Sequence, residues 1–256
     1  LITSSILSKK IASGLSSLVL DVKVGNGSFN STIDIARDLS NSLVRVAKGA
    51  GLHCEAILTD MNQVLGKSAG HTLEILECIK YIKNDFKDHR LEKITNELIS
   101  SLLVNIYKIS KEEAYNKINT VINNGLAAEK FEMMVAALGG PKNILSSFEK
   151  DLINTSVRKD VFCNKEGWIE KIHTRELGLI LIELGGGRKQ VTDKIDYGVG
   201  YDNVLNIGDE VNSSTALLSL YSSKNIDDNL IDKIKGCFII SDKKTQKLSE
   251  IFETIN

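Results

Sequence analysis

Proline is nearly missing from this chain: Pro141 is the only one in 256 residues. Cysteine is sparse too, and Cys54, Cys78, Cys163 and Cys237 form no CxxC pair. That spacing excludes a disulfide framework or a cysteine metal knuckle, and predicts burial as small apolar residues in a reducing compartment. The four histidines show no HxxxH or HExxH spacing, so no zinc site is legible. There is no excess of either charge: 32 Lys and Arg stand against 33 Asp and Glu, for a net charge of -1. A chain without a basic field is not built for nucleic acid. Nowhere do the ~18–20 consecutive apolar residues of a membrane span occur. The apolar run Leu15–Leu20 lacks a basic leader, and Lys9, Lys10 and several serines interrupt its approach, so it is no signal peptide. A cytoplasmic protein without nucleic-acid or membrane partners is expected.

What remains is ordinary globular material, 42% hydrophobic and 25% charged. A chain of this length buries roughly 70–75% of its unfolded surface, enough for one large domain or two modest ones. Ile2, Ile6, Leu7 and Ile11 share one helical face over residues 2–13, and Gly14 ends that helix. Leu18–Val22 is a short buried strand running into the turn Gly25-Asn26-Gly27. Residues 33–50 form a helix with Ile35, Leu39, Leu43 and Val46 at three- and four-residue spacing, and Ala56–Leu58 is a second buried strand. Strand, helix, strand with short joints predicts a βαβ unit with parallel strands. Helices are expected over 72–83, 91–107, 111–124 and 127–138. Gly139-Gly140-Pro141 is the natural break, and beyond about residue 155 strand-length runs at 157–162, 167–173 and 216–222 predict an α+β region.

Candidate chemistry is thin when judged by spacing alone. Ser5 and Lys9 stand at i and i+4 on the first helix, with Cβ atoms roughly 6 Å apart. A hydroxyl and an ammonium so placed can address adjacent polar atoms of one planar ring, although such pairs are usually surface decoration. Asp21, Lys23, Asp60 and Asn62 fall at the carboxyl ends of the two parallel strands, the edge that faces ligands in open α/β sheets. Fixing the turns after each strand is an equal reading for Lys23 and Asp60. Gly25-Asn26-Gly27 and Gly185–Gly187 fit neither dinucleotide nor P-loop patterns and read as structural.

Three stretches carry a resemblance: Ile2-Thr3-Ser4-Ser5-Ile6-Leu7-Ser8-Lys9-Lys10, Leu20-Asp21-Val22-Lys23-Val24-Gly25-Asn26-Gly27-Ser28-Phe29, and Leu58-Thr59-Asp60-Met61-Asn62-Gln63-Val64-Leu65 with Ser68-Ala69-Gly70-His71-Thr72-Leu73-Glu74. In this order the chain resembles the thymidine and pyrimidine-nucleoside phosphorylases from residue 1 to its end. Leu184-Gly185-Gly186-Gly187-Arg188 and Ile195-Asp196-Tyr197 are similar to their C-terminal domain. The resemblance implies an α/β fold: a partial parallel sheet flanked by helices, a C-terminal α+β domain, and an N-terminal helix left from a small helical domain. Its divisions would fall at 1–13, 14–150 and 151–256.

The same resemblance implies phosphorolysis of thymidine to thymine and 2-deoxyribose 1-phosphate. Ser5 would hydrogen-bond the pyrimidine imide. Lys9 would meet a ring carbonyl and favour the negative charge that develops on the leaving base. Phosphate is the co-substrate, no organic cofactor is implied, and the family works as a homodimer. Some members hold potassium, which would fall here to the carbonyls of Leu65 and Ser68 and the carboxylate of Glu77, with further ligands from upstream, so that any site within these residues is expected to be incomplete. Otherwise Glu77 is a solvent-facing helix residue. The family's phosphate-binding segments lie upstream of Leu1, so the chain is expected to be a C-terminal portion, inactive alone. Two alternatives stand beside this: a broader uridine and thymidine phosphorylase, and a chain that binds or assembles without catalysis.

Overall fold

A computed structural model describes residues 1–152 and 157–256, with backbone alone at 149–152. The change of character placed near residue 155 lies outside the described residues. From the N-terminus the elements are α1 (Ile2–Ala12), β1 (Ser17–Val24), α2 (Ile33–Gly49), β2 (His53–Asp60), α3 (His71–Ile82), α4 (His89–Tyr107), α5 (Lys111–Asn123), α6 (Leu126–Ala137) and α7 (Ile144–Leu152). Then come β3 (Val157–Phe162), β4 (Gly167–Ile172), α8 (Thr174–Leu184), β5 (Gly200–Asp202), β6 (Glu210–Val211), β7 (Ala216–Ser222), α9 (Asp228–Gly236), β8 (Phe238–Ser241) and β9 (Ile251–Ile255). They assemble into two compact units. One holds Leu1–Met61, Arg90–Thr120 and Ser249–Asn256; the other holds Asn62–His89 and Val121–Leu248. This division is discontinuous in sequence and differs from the contiguous one drawn at residues 13 and 150.

The first unit is organised by the expected βαβ element. β1 and β2 are parallel, in register from Ser17 opposite His53 to Val24 opposite Asp60. Between them α2 begins at Thr32, whose hydroxyl accepts from the Ile35 N–H, capping one of the orphan donors of the first turn. Its stripe of Ala36, Leu43, Val44 and Ala47 packs with Val22, Val24, Ala56 and Leu58 in one core. Full burial of each larger aliphatic side chain stabilises the unit by about 1.5–3 kcal/mol relative to exposure. The sheet also carries an antiparallel strand that the sequence reading did not include. β9 adds antiparallel to β2, with Ala56 opposite Ile255, so the order is β1-β2-β9.

The second unit is α+β. Two three-stranded antiparallel sheets, ordered β3-β7-β5 and β6-β4-β8, enclose a core that includes Val161, Ile169, Ile172, Val199, Tyr201 and Leu218. Leu177, Ile180 and Leu184 of α8 and Ile231 and Ile234 of α9 pack into it. α8 stops at Gly185, whose φ of 103° needs a residue without Cβ, as the structural reading of that glycine cluster required. A separate cluster joins Leu73, Leu76 and Ile79 of α3 to Ile144 and Phe148 of α7. No helix among the described residues is long and apolar enough to cross a membrane. All four cysteines are free thiols, and three are buried as expected; Cys78, on the outer face of α3, is exposed instead.

Candidate functional site

Ser5 and Lys9 sit one turn apart on the exposed face of α1. The opposite face carries Leu7, 1% exposed, into the core of the first unit. Thr3 adds a hydroxyl–hydroxyl bond of 3.0 Å to Ser42 of α2. The Lys9 ammonium folds back to donate to the Ser5 carbonyl at 3.2 Å. That contact places the ammonium beside the Ser5 backbone while the side chain stays exposed. Exposure leaves both groups open to an incoming ligand.

The carboxyl edge of β1 and β2 is held by charged side chains. Lys23 pairs with Asp21 at 2.6 Å and donates to the Thr59 hydroxyl at 2.9 Å. Thr59 in turn donates to Asp21. The Lys23 carbonyl accepts from the Ser28 hydroxyl and the Asn30 side-chain amide, folding the loop after β1 back on itself. Asp60 is 1% exposed and meets the Arg90 guanidinium at 3.0 Å. Of the two readings left level by the sequence, this geometry favours turn-fixing for Asp60; a carboxylate so buried and paired is not presented to solvent.

In the second unit the segment following β2 is clamped from several sides. Gln63 accepts from the Ile207 N–H at 2.8 Å, and Thr174 donates its hydroxyl to the Asn62 carbonyl at 2.8 Å. The Lys67 carbonyl accepts from the Val204 N–H, and Ala69 exchanges both backbone bonds with Tyr201. Two glycines permit that approach: a Cβ at Gly200 would lie 2.6 Å from the Ala69 carbonyl oxygen, and one at Gly70 would lie 2.5 Å from that of Val199.

Glu77 completes the clamp. Its carboxylate accepts from the Lys67 N–H at 2.7 Å and the Ser68 N–H at 3.1 Å. It is 7% exposed, which overturns its reading as a solvent-facing helix residue. Burial pushes the carboxyl up, the two N–H donors pull it back, and Asp88 and Asp202 push it further up. Leu73, Leu76, Glu77 and Lys80 share one face of α3, and that stripe lines a cavity of about 650 Å³ with Ser68, Asp202 and Tyr221. A carboxylate on an apolar stripe was a signal available in the sequence. Asp202 and Arg90 had none, since their partners lie far away along the chain.

Residues 168–241 match the family described as pyrimidine nucleoside phosphorylase C-terminal domain. A thymidine phosphorylase from Colwellia psychrerythraea is 45% identical over 223 residues, 87% of this chain. The chain belongs to the thymidine phosphorylase family. It spans about half the length of that curated relative, 51%.

Within this family member the loop 65–68 offers an unusual set of oxygens. The described bonds use the N–H groups of Lys67 and Ser68 and the carbonyl of Lys67. Among the described residues the carbonyls of Leu65 and Ser68 accept no hydrogen bond. They and the Glu77 carboxylate are hard oxygen donors, the type that an alkali cation takes. No group of three or more His, Cys, Asp or Glu among the described residues could hold a metal ion. Ser5 and Lys9 belong to the first compact unit, and Leu65, Ser68 and Glu77 to the second.

Proposed function

We propose that this chain is part of a phosphorylase that converts thymidine and phosphate to thymine and 2-deoxyribose 1-phosphate. The observation that carries the reading is the pair Ser5 and Lys9, one turn apart on the exposed face of α1. The 45% identity to a protein named thymidine phosphorylase supplies the reaction. Phosphate attacks the anomeric carbon, the carbon–nitrogen bond breaks, and the electron pair goes to the base. Ser5 hydrogen-bonds the imide, and the Lys9 ammonium meets a ring carbonyl as negative charge builds there. An interaction that strengthens along the reaction lowers the barrier and does more than tighten binding. No covalent enzyme intermediate is needed.

The remainder of the machinery is proposed on the same footing. Phosphate is held by residues outside these 256, so the activity belongs to the whole protein, acting in the cytoplasm as a homodimer. The carbonyls of Leu65 and Ser68 and the carboxylate of Glu77 would hold a potassium ion. When bound, that ion supplies a fixed positive charge which ties the loop after β2 to α3.

The family name attached to residues 168–241, pyrimidine nucleoside phosphorylase, favours a second reading in which uridine is also accepted. Phosphorolysis of thymidine and uridine by the whole protein, followed by release of free base, separates the two. Thymidine should be the better substrate by at least tenfold. Equal rates would overturn the narrower assignment, and no release from either would leave a binding or assembly role.

A further inference from the structure

We infer that Asp202 is a positioning residue for the cation loop, fixing Ser68 from the C-terminal domain and adding its carboxylate to the cavity that Glu77 lines. The inference rests on the cation reading proposed above.

Asp202 ends β5, inside the stretch that matches the phosphorylase C-terminal domain. Its Oδ1 accepts from the Ser68 hydroxyl at 3.1 Å and from the Asn203 N–H at 2.8 Å; its Oδ2 accepts from the Asn203 side-chain amide at 3.3 Å. Ser68 is thereby gripped at two points, its N–H by Glu77 and its hydroxyl by Asp202, while its neighbour Ala69 is held by Tyr201. The group left over is its carbonyl. A donor held this way loses little freedom when an ion arrives, which is how preorganisation raises affinity.

Charge argues in the same direction. Asp202 lines the same cavity as Glu77, and its hydrogen bond to Ser68 ties it to the loop. Carboxylates lining one cavity favour whatever brings positive charge between or beside them. The candidates within the protein are limited. Lys67 is directed to Asp209 at 3.9 Å and Lys83 to Asp85 at 2.9 Å. Lys80, one turn along α3 from Glu77, makes no salt bridge with it among the described residues. A small cation seated on the leftover carbonyls supplies that charge without disturbing those pairs.

The test uses thermal melting of the whole protein in potassium chloride, with choline chloride holding ionic strength constant. The native protein should gain stability with a measurable potassium midpoint. Asp202→Asn should move that midpoint at least tenfold higher while melting normally in choline. Ser68→Ala, which keeps every charge and the carbonyl, should move it in the same direction by less. Asp242→Asn, on a different surface, should leave it in place. An unchanged midpoint in Asp202→Asn overturns the inference and spares the cation reading. Should that variant fail to fold, an unchanged midpoint in Ser68→Ala overturns it instead. A native protein indifferent to potassium removes the cation reading and the inference with it.

Discussion

The Asp60 carboxylate at the end of β2 lies 3.0 Å from the Arg90 guanidinium at the start of α4, and both side chains are almost wholly buried. Arg90 also donates to the Asp60 carbonyl, at 2.5 Å. One side chain thus satisfies the charge and the backbone of the same residue. Removing it takes the guanidinium away from a buried carboxylate, which costs far more than the net worth of the pair. Arg90→Met is therefore expected to destabilise the chain by about 3–5 kcal/mol in urea unfolding. A loss below about 1 kcal/mol would mean that Asp60 is reached by water or another donor.

Lys9 gives the opposite pattern, because it is exposed and its partner is a carbonyl one turn away. Surface substitutions of this kind change stability by no more than about 0.5 kcal/mol. Lys9→Met in the whole protein should leave melting in place and lower kcat for thymidine by about a hundredfold, on the order of 2.7 kcal/mol in the barrier. Ser5→Ala should act in the same direction with a smaller effect. A Lys9→Met protein with native kcat would remove α1 from the chemistry.

How much of this was legible follows from sequence distance. β1, α2 and β2 declare themselves because each is specified locally: a Val- and Leu-rich run, a stripe at three and four, a Thr cap. β9 escaped because its five residues gain meaning only when paired with β2, nearly the whole chain away. The bond from Ser68 to Asp202 spans 134 residues, and no local pattern encodes such a meeting. Glu77 lay between these cases. Its place on the apolar stripe of α3 was visible, yet the usual preference of Glu for solvent outweighed it until the Lys67 and Ser68 N–H groups were seen. Ser5 and Lys9 are proposed on resemblance, since their spacing alone is common to many surface helices.

Gly66 offers a steric test of the Glu77 clamp. A Cβ there would lie 2.5 Å from one Glu77 carboxylate oxygen and 2.6 Å from the other. Gly66→Ala should displace the carboxylate from its two N–H donors and cost about 1–3 kcal/mol, the range for overpacking a tight site. Glu77→Ala removes the obstacle, so the double variant should be less unstable than the sum of the singles. Strict additivity in urea unfolding would show that Gly66 and Glu77 do not meet.

The cysteines should separate cleanly by thiol labelling. Cys237 is buried and its thiol is pushed up to about 11, chiefly by desolvation, with the Glu176 carboxylate adding to it. At pH 8 about one molecule in a thousand carries that thiolate, the reactive species. In the native protein only Cys78 should label, with Cys54, Cys163 and Cys237 following on unfolding. Native labelling of Cys237 at a rate matching Cys78 would mean that the α9–β8 junction opens far more often than its packing implies.

The last test is a pH dependence with a defined sign. Burial pushes the Glu250 carboxyl up, but the Lys93 ammonium at 2.7 Å, a backbone donor and Arg90 outweigh it, so its value falls below the ordinary range. A group lowered on folding contributes stability above its unfolded value, about 4.3, and loses it as pH falls through the folded one. The Lys93 side chain is 46% exposed, so solvent screening keeps the contribution below about 1 kcal/mol. Lys93→Met should therefore lower stability slightly at pH 7 and converge on the native protein below about pH 3. A constant gap between the two proteins from pH 7 to pH 3 would assign the loss to the packing of the Lys93 stem instead of to its charge.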